Sequence, residues 1–298
     1  MRRIPGTDLD VFPLCLGGNV FGWTADERES VDVLDRYIEV GGNFIDTADM
    51  YAGGESEAII GRWMLARANR DWLVIATKVG MAPGFSGLGA ATIRAAVEES
   101  LKRLQVEHID LYYAHRDDET VEQAEYVGAF DDLVKAGKIR EAGASNFTLD
   151  RLQSALKVAK DAGQTGFTVA QDKLNLVDRD LEATLPALET AGIVELPYSA
   201  LASGFLTGKY REGVDVESAR AGGASKHLDN PKNVELLGTL DGIAADRGVS
   251  VTAIALAWLR QQTAVDAPIA SARTVDQLQH LVESFNLVLS ADELARLG

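Results

Sequence analysis

The chain has little of what several protein classes require. It holds one cysteine, Cys15, in 298 residues, so no internal disulfide can form, and the apolar run Val11-Phe-Pro-Leu-Cys-Leu16 marks that thiol as buried and inert. Histidines number only four, and His108, His115, His227 and His280 show no ligand spacing, which argues against a metal site. Basic residues are outnumbered: 29 Lys and Arg against 45 Asp and Glu, a formal charge of −16. Such a surface repels phosphate backbones and anionic lipid, so neither nucleic acid nor membrane is expected as a partner. No apolar run is long enough to cross a bilayer. Met1-Arg-Arg-Ile-Pro-Gly6 is not followed by a signal-length apolar stretch, and a cytoplasmic location is expected.

What is present is a regular alternation of short apolar runs and amphipathic stretches. The runs Leu14–Gly17, Asn43–Asp46, Leu73–Lys78, Ile109–His115, Ile139–Ser145, Thr168–Gln171, Ile193–Tyr198 and Ala267–Ser271 read as strands. Several are apolar on successive residues, as in Leu73-Val-Ile-Ala76, which suits a parallel sheet covered on both faces. Helical periodicity falls between them at Ser30–Val40, Ser56–Arg67, Thr92–Leu104, Val121–Lys135 and Leu149–Lys160. Eight such units predict a single-domain α/β fold, a (β/α)8 TIM barrel spanning residues 1–298. A doubly wound sheet is rejected because Gly17-Gly-Asn-Val-Phe-Gly22 lacks the G-x-G-x-x-G spacing. Gly204-Phe-Leu-Thr-Gly-Lys-Tyr210 is one residue short of a P-loop. The opening Arg2–Phe12 predicts a β-hairpin closing the barrel floor. Arg211–Asn230, long and without periodicity, predicts a lid or binding loop.

Barrel active sites form at the carboxyl ends of the strands. The predicted strands deliver polar side chains there: Asp46 with Tyr51 just beyond, Lys78, His115, Ser145 and Asn146, Gln171, Tyr198, and Ser271 with Arg273. Taken singly, Asp46 reads equally as a cap, Tyr51 as a packed aromatic, Lys78 as a solvated ammonium and His115 as a hydrogen-bonded structural histidine. Together their chemistry is complementary. An ammonium beside a phenol lowers the phenol's pKa. Asp46 can hold that ammonium in place, and His115 can bond a substrate oxygen. The set suits a general acid next to a polarised carbonyl.

The chain resembles the aldo-keto reductase superfamily over essentially its whole length. The resemblance is carried by Gly42-Asn-Phe-Ile-Asp-Thr-Ala-Asp-Met-Tyr51, Ala76-Thr-Lys-Val79, Asp110-Leu-Tyr-Tyr-Ala-His115, Gly143-Ala-Ser-Asn-Phe147, Pro197-Tyr-Ser199, Leu201-Ala-Ser-Gly-Phe-Leu-Thr-Gly-Lys-Tyr210 and Ser271-Ala-Arg-Thr274, in that order. It implies that Asp46, Tyr51, Lys78 and His115 form a catalytic tetrad. It further implies that Ser145, Asn146 and Gln171 hold a nicotinamide carboxamide, and that Tyr198 stacks on the ring. Ser199, Leu201, Ser203, Gly204, Leu206 and Lys209 would run along the pyrophosphate. Ser271 and Arg273 would receive an adenosine 2′-phosphate, with Gln277 near the adenine. Many members carry Gly where this chain has Ala52.

The expected activity is NADPH-dependent reduction of an aldehyde or ketone, without metal, by a chain acting as a monomer. A guanidinium at Arg273 favours NADPH over NADH because it forms a forked pair with phosphate. Phe21 and Trp23, beyond the first strand, and Met81–Leu88, beyond the third, are expected to wall the substrate pocket. One rival is a cofactor-binding, redox-sensing regulatory subunit that keeps the same residues without turnover. Another is a lyase or isomerase using Lys78 as a Schiff-base amine.

Overall fold

The computed structural model describes residues 1–298. In chain order its elements are β1 (Arg2–Arg3), β2 (Asp10–Val11), β3 (Cys15–Gly17), α1 (Glu27–Glu39), β4 (Phe44–Asp46), α2 (Glu55–Arg67), β5 (Val74–Val79), α3 (Ala90–Leu104), β6 (Ile109–Ala114), α4 (Gln123–Lys135), β7 (Ile139–Ser145), α5 (Leu149–Ala162), β8 (Val169–Gln171), α6 (Leu185–Ala191) and β9 (Val194–Glu195). They continue with α7 (Ala221–Ala224), α8 (Pro231–Arg247), α9 (Val251–Arg260), β10 (Ile269–Ala270), α10 (Val275–Val282) and α11 (Ala291–Leu297). Strands β3 to β10 form one parallel sheet in the order β10-β3-β4-β5-β6-β7-β8-β9. Its outer edges meet: Ile269 N donates to Pro197 O at 2.9 Å and Asp266 N to Glu195 O at 3.1 Å. The expected (β/α)8 barrel is therefore present.

Period-two alternation sorts the strand residues. Cys15, Phe44, Val74, Ala76, Leu111, Tyr113, Val169, Val194, Leu196, Ala267 and Ile269 pack together inside the barrel. Neighbours such as Leu16, Ile45, Ile75, Tyr112, Ala144 and Ala170 join the larger core between strands and helices. Burial on both faces is why the strands read as continuous apolar runs. Gly143 is required by this packing, since a Cβ there would lie 2.4 Å from the Tyr113 ring. β1 and β2 pair antiparallel, and Ile4, Leu9 and Val11 of this hairpin join the interior cluster. The expected floor plug is thus real.

Helix starts follow sequence chemistry. Asp26 and Glu29 make a reciprocal capping box on α1, and Thr148, Ser250 and Thr274 cap α5, α9 and α10. The aperiodic Arg211–Asn230 stretch holds only the four-residue α7 and a 3₁₀ turn at Ser225–Asp229. Its Ser218, Ala219 and Arg220 line the main cavity.

Candidate active site

The inward register carries the site. Continuing Phe44 upward gives Asp46, continuing Val74 and Ala76 gives Lys78, and continuing Leu111 and Tyr113 gives His115. Gly143 leads to Ser145, Val169 to Gln171, and Leu196 to Tyr198. The apolar filling of the barrel thus ends in one polar layer.

Lys78 is fully buried, and its Nζ donates to Asp46 Oδ1 at 2.5 Å, to Thr47 O at 2.7 Å and to Tyr51 Oη at 3.4 Å. Asp46 Oδ2 accepts from Gln171 Nε2 at 2.9 Å. Burial, the largest single influence, disfavours the Lys78 charge, but Asp46 and Tyr51 outweigh it and hold the ammonium above its ordinary pKa. A protonated Lys78 is a poor Schiff-base amine, which removes the support for that rival.

The same balance corrects the expectation for Tyr51. Burial raises the phenol above its ordinary pKa, and the lowering by Lys78 does not fully offset it. Tyr51 therefore keeps its proton at neutral pH, as a proton donor must. His115 faces Tyr51 edge-on, with ring centroids 6.1 Å apart. Burial first, then Lys78 and Arg116, push its pKa down to about 3. The imidazole is neutral, and its Nδ1 has no protein partner.

The loop carrying Tyr51 is tightly wound. Ala52, Gly53 and Gly54 all have positive φ, at 50°, 67° and 96°. That conformation explains why glycine suits position 52; alanine adopts it at a cost of about 1 kcal/mol. Behind the loop, Glu57 is fully buried and accepts from Arg103 Nε and Thr77 Oγ1, both at 2.6 Å. Asp49 lies beside it with neither carboxyl oxygen bonded.

Beside the tetrad, Ser145 Oγ donates to Gln171 O at 2.6 Å. Asn146 Nδ2 donates to His115 O at 3.0 Å, and its Oδ1 accepts from Tyr198 Oη at 2.8 Å. Next to this group opens a cavity of about 860 Å³. Asp46, Tyr51, Tyr198, Ser199, Leu201, Ser203, Gly204, Lys209, Ser271, Arg273 and Gln277 line it, as does Trp23. Gln277 Oε1 accepts from the Arg273 backbone N–H at 3.0 Å, and the Arg273 guanidinium faces the cavity.

Some expected residues fall elsewhere: none of the Met81–Leu88 stretch lines the cavity, and Met81, Ser86 and Gly87 border a separate cleft. Phe21 is fully buried in the core between barrel and helices and does not reach the cavity. Leu206 is likewise fully buried there, because the 3₁₀ turn Ala202–Thr207 points it inward. Conversely, Asn19 and Arg220 line the cavity without having been expected. Asn19 Oδ1 accepts from Ser271 Oγ at 2.5 Å, and Arg220 sits 5.8 Å from the Trp23 ring centroid. The Gly17-Gly18-Asn19 turn at a strand end was a usable signal for Asn19. Arg220 lies in an aperiodic loop that offered none.

The cavity lining is electrostatically one-sided. It includes Lys209, Arg220 and Arg273 but only one carboxylate, Asp46, itself paired with Lys78. In a chain of charge −16 this is a local reversal of sign. A barrel with a buried carboxylate–ammonium–phenol chain at its rim, opening into a long cationic cavity, is built for redox chemistry on a carbonyl with an anionic cofactor.

The comparisons agree with that class. The model of the Aldo/keto reductase family matches residues 13–298, and the chain belongs to this family. Among curated proteins it is 33% identical to norsolorinic acid reductase B of Aspergillus parasiticus, over 97% of this chain and 81% of that one. It is 33% identical to an aldo-keto reductase of Emericella nidulans, over 98% of this chain and 79% of that one. It is 29% identical to the NADP(+) aryl-alcohol dehydrogenase of Phanerodontia chrysosporium, over 99% of this chain and 83% of that one. The chain is an oxidoreductase.

Proposed function

We propose that the protein reduces an aromatic aldehyde or ketone to its alcohol with NADPH, using Tyr51 as the general acid. The observation that carries this reading is the junction of two features. The Asp46–Lys78–Tyr51 hydrogen-bond chain ends where the cationic cavity begins.

The residues present suit the dinucleotide. Arg273 and Arg220 make no ion pair within the protein, so both are available to phosphates. The N-terminal turn of α9, Ser250 to Thr252, also lines the cavity; Ser250 N is bonded to Glu283 Oε2 at 2.8 Å, and the N–H groups of Val251 and Thr252 are the ones such a turn can offer an anion. Ser145, Asn146 and Gln171 would hold the carboxamide, with Tyr198 against the ring. When bound, the cofactor supplies the hydride that reduces the carbonyl carbon. The protein supplies position and a proton. Tyr51 gives its hydroxyl proton to the carbonyl oxygen, and Lys78 stabilises the resulting phenolate. Neutral His115 orients that oxygen. Trp23, 57% exposed at the cavity edge, offers an aromatic substrate a flat wall, in keeping with the substrates named for the relatives.

The test is oxidation of NADPH by a panel of aryl aldehydes, with and without Tyr51→Phe. The variant is expected to bind NADPH as the parent does and to lose about 10²- to 10⁴-fold in kcat. An unchanged kcat removes Tyr51 from the acid role, and no turnover of any carbonyl overturns the enzymatic reading.

A further inference from the structure

A second pair of acids, the half-buried Asp172 and the buried Glu195, lies behind the proposed nicotinamide seat. Asp172 follows Gln171 at the end of β8. Its Oδ1 accepts from Asn146 N at 2.7 Å, at a residue whose φ is +57°. The Asp172 backbone O accepts from Tyr198 N at 2.9 Å. Asp172 therefore fixes both Asn146 and Tyr198, which in turn bond each other through Tyr198 Oη. On its other side, Asp172 N donates to Glu195 Oε1 at 2.7 Å. Glu195 is fully buried, and its Oε2 has no partner.

Neither carboxyl forms an ion pair. The adjacent Lys173 lies 3.2 Å from Asp178 instead. The charged or titratable groups around the cluster are Tyr198, whose pKa both acids help to raise, the buried Tyr113, which Glu195 pushes the same way, and Arg116, which acts on Tyr198 in the opposite sense. Burial first, then Asp172, hold Glu195 well above the carboxylate range, so Glu195 keeps its proton. Asp172 is the less buried of the two and accepts the Asn146 N–H at 2.7 Å, a bond that favours its ionised form; burial raises it to about 6, and it is the member of the pair that carries the negative charge at pH 8. A partly buried carboxylate without a counter-ion is costly, unless a cation arrives nearby.

We propose that Asp172 is that counter-charge for the oxidised nicotinamide: it makes the site favour the cationic ring over the neutral dihydro ring, and so promotes hydride donation. The inference rests on the cofactor seat proposed above. A bound NADPH would supply the hydride to the carbonyl carbon and be left with a positive ring, and Tyr51 would give its phenolic proton to the new alkoxide. A fixed negative charge one hydrogen bond from Asn146 stabilises that positive ring as it develops. Asp172 acts through field and position and does not exchange a proton with substrate.

The test is equilibrium binding of NADP+ and NADPH, without substrate, to the full chain and to Asp172→Asn, which keeps an acceptor for Asn146 N. At pH about 8 the variant is expected to lose roughly tenfold more affinity for NADP+ than for NADPH. In the parent, relative preference for NADP+ is expected to decline as pH is lowered from about 8 to about 5. Glu195→Gln, which leaves the Asp172 charge in place, is expected to keep the parental ratio. Equal losses for both forms in Asp172→Asn, a parental ratio independent of pH, or a ratio that collapses in Glu195→Gln would each overturn the assignment. Failure of the parent to bind either dinucleotide would instead overturn the cofactor seat itself. If Asp172→Asn does not fold, the pH series and Glu195→Gln still decide.

Discussion

The Lys78 ammonium lies 3.4 Å from the Tyr51 hydroxyl and 2.5 Å from the Asp46 carboxylate. It is held by the acid and shared with the phenol. The geometry keeps the positive charge in place whether or not Tyr51 has given up its proton, which a freely moving lysine would not do.

Lys78→Met removes that charge and leaves Asp46 buried without a cation. The expected result is loss of stability by about 3–5 kcal/mol, measured by denaturant unfolding, and loss of carbonyl reduction at every pH. Activity that recovers as the pH is raised would show that Lys78 only tunes an otherwise sufficient phenol.

Arg273→Ala is expected to weaken NADPH binding by about one to two orders of magnitude and NADH binding much less. The fork it presents matches a phosphate that NADH lacks. Titration of each dinucleotide into parent and variant decides, and equal losses would remove the 2′-phosphate role.

Asp49 is a buried acid with no hydrogen-bond partner. Burial, then Glu57, raises it to about 7. A carboxyl raised in the folded state binds more protons there than in the unfolded chain. Its contribution therefore erodes as pH climbs from about 4 to about 7 and is fully lost above that. Asp49→Asn is expected to stabilise the protein at pH 8 by roughly 2–4 kcal/mol and to do little near pH 4. Thermal melts of both chains across this range check the sign, and a gain confined to low pH would refute it.

Much of the barrel was legible because covered parallel strands must be apolar on both faces, and Leu73-Val-Ile-Ala76 is. The clustering of Asp46, Lys78 and His115 was legible for a related reason: all three sit at the inward phase of strands already found. Phe21 and Leu206 were misplaced because a 3₁₀ turn or bend has no phase to extrapolate. Arg220 was missed because Arg211–Asn230 has no period. Asp49, Asp172 and Glu195, acids without an ion-pair partner, were illegible for another reason. Sequence gives an acid's identity, but whether water reaches it depends on segments far along the chain, as Glu195 and Asp172 depend on each other across two strands.

The hairpin that packs Ile4, Leu9 and Val11 into the barrel floor closes the lower end of an interior already filled by Phe44, Leu111 and Tyr113. Solvent is thereby kept from the underside of the polar layer, and any water that reaches the buried Lys78 and Asp46 has to come from the rim above.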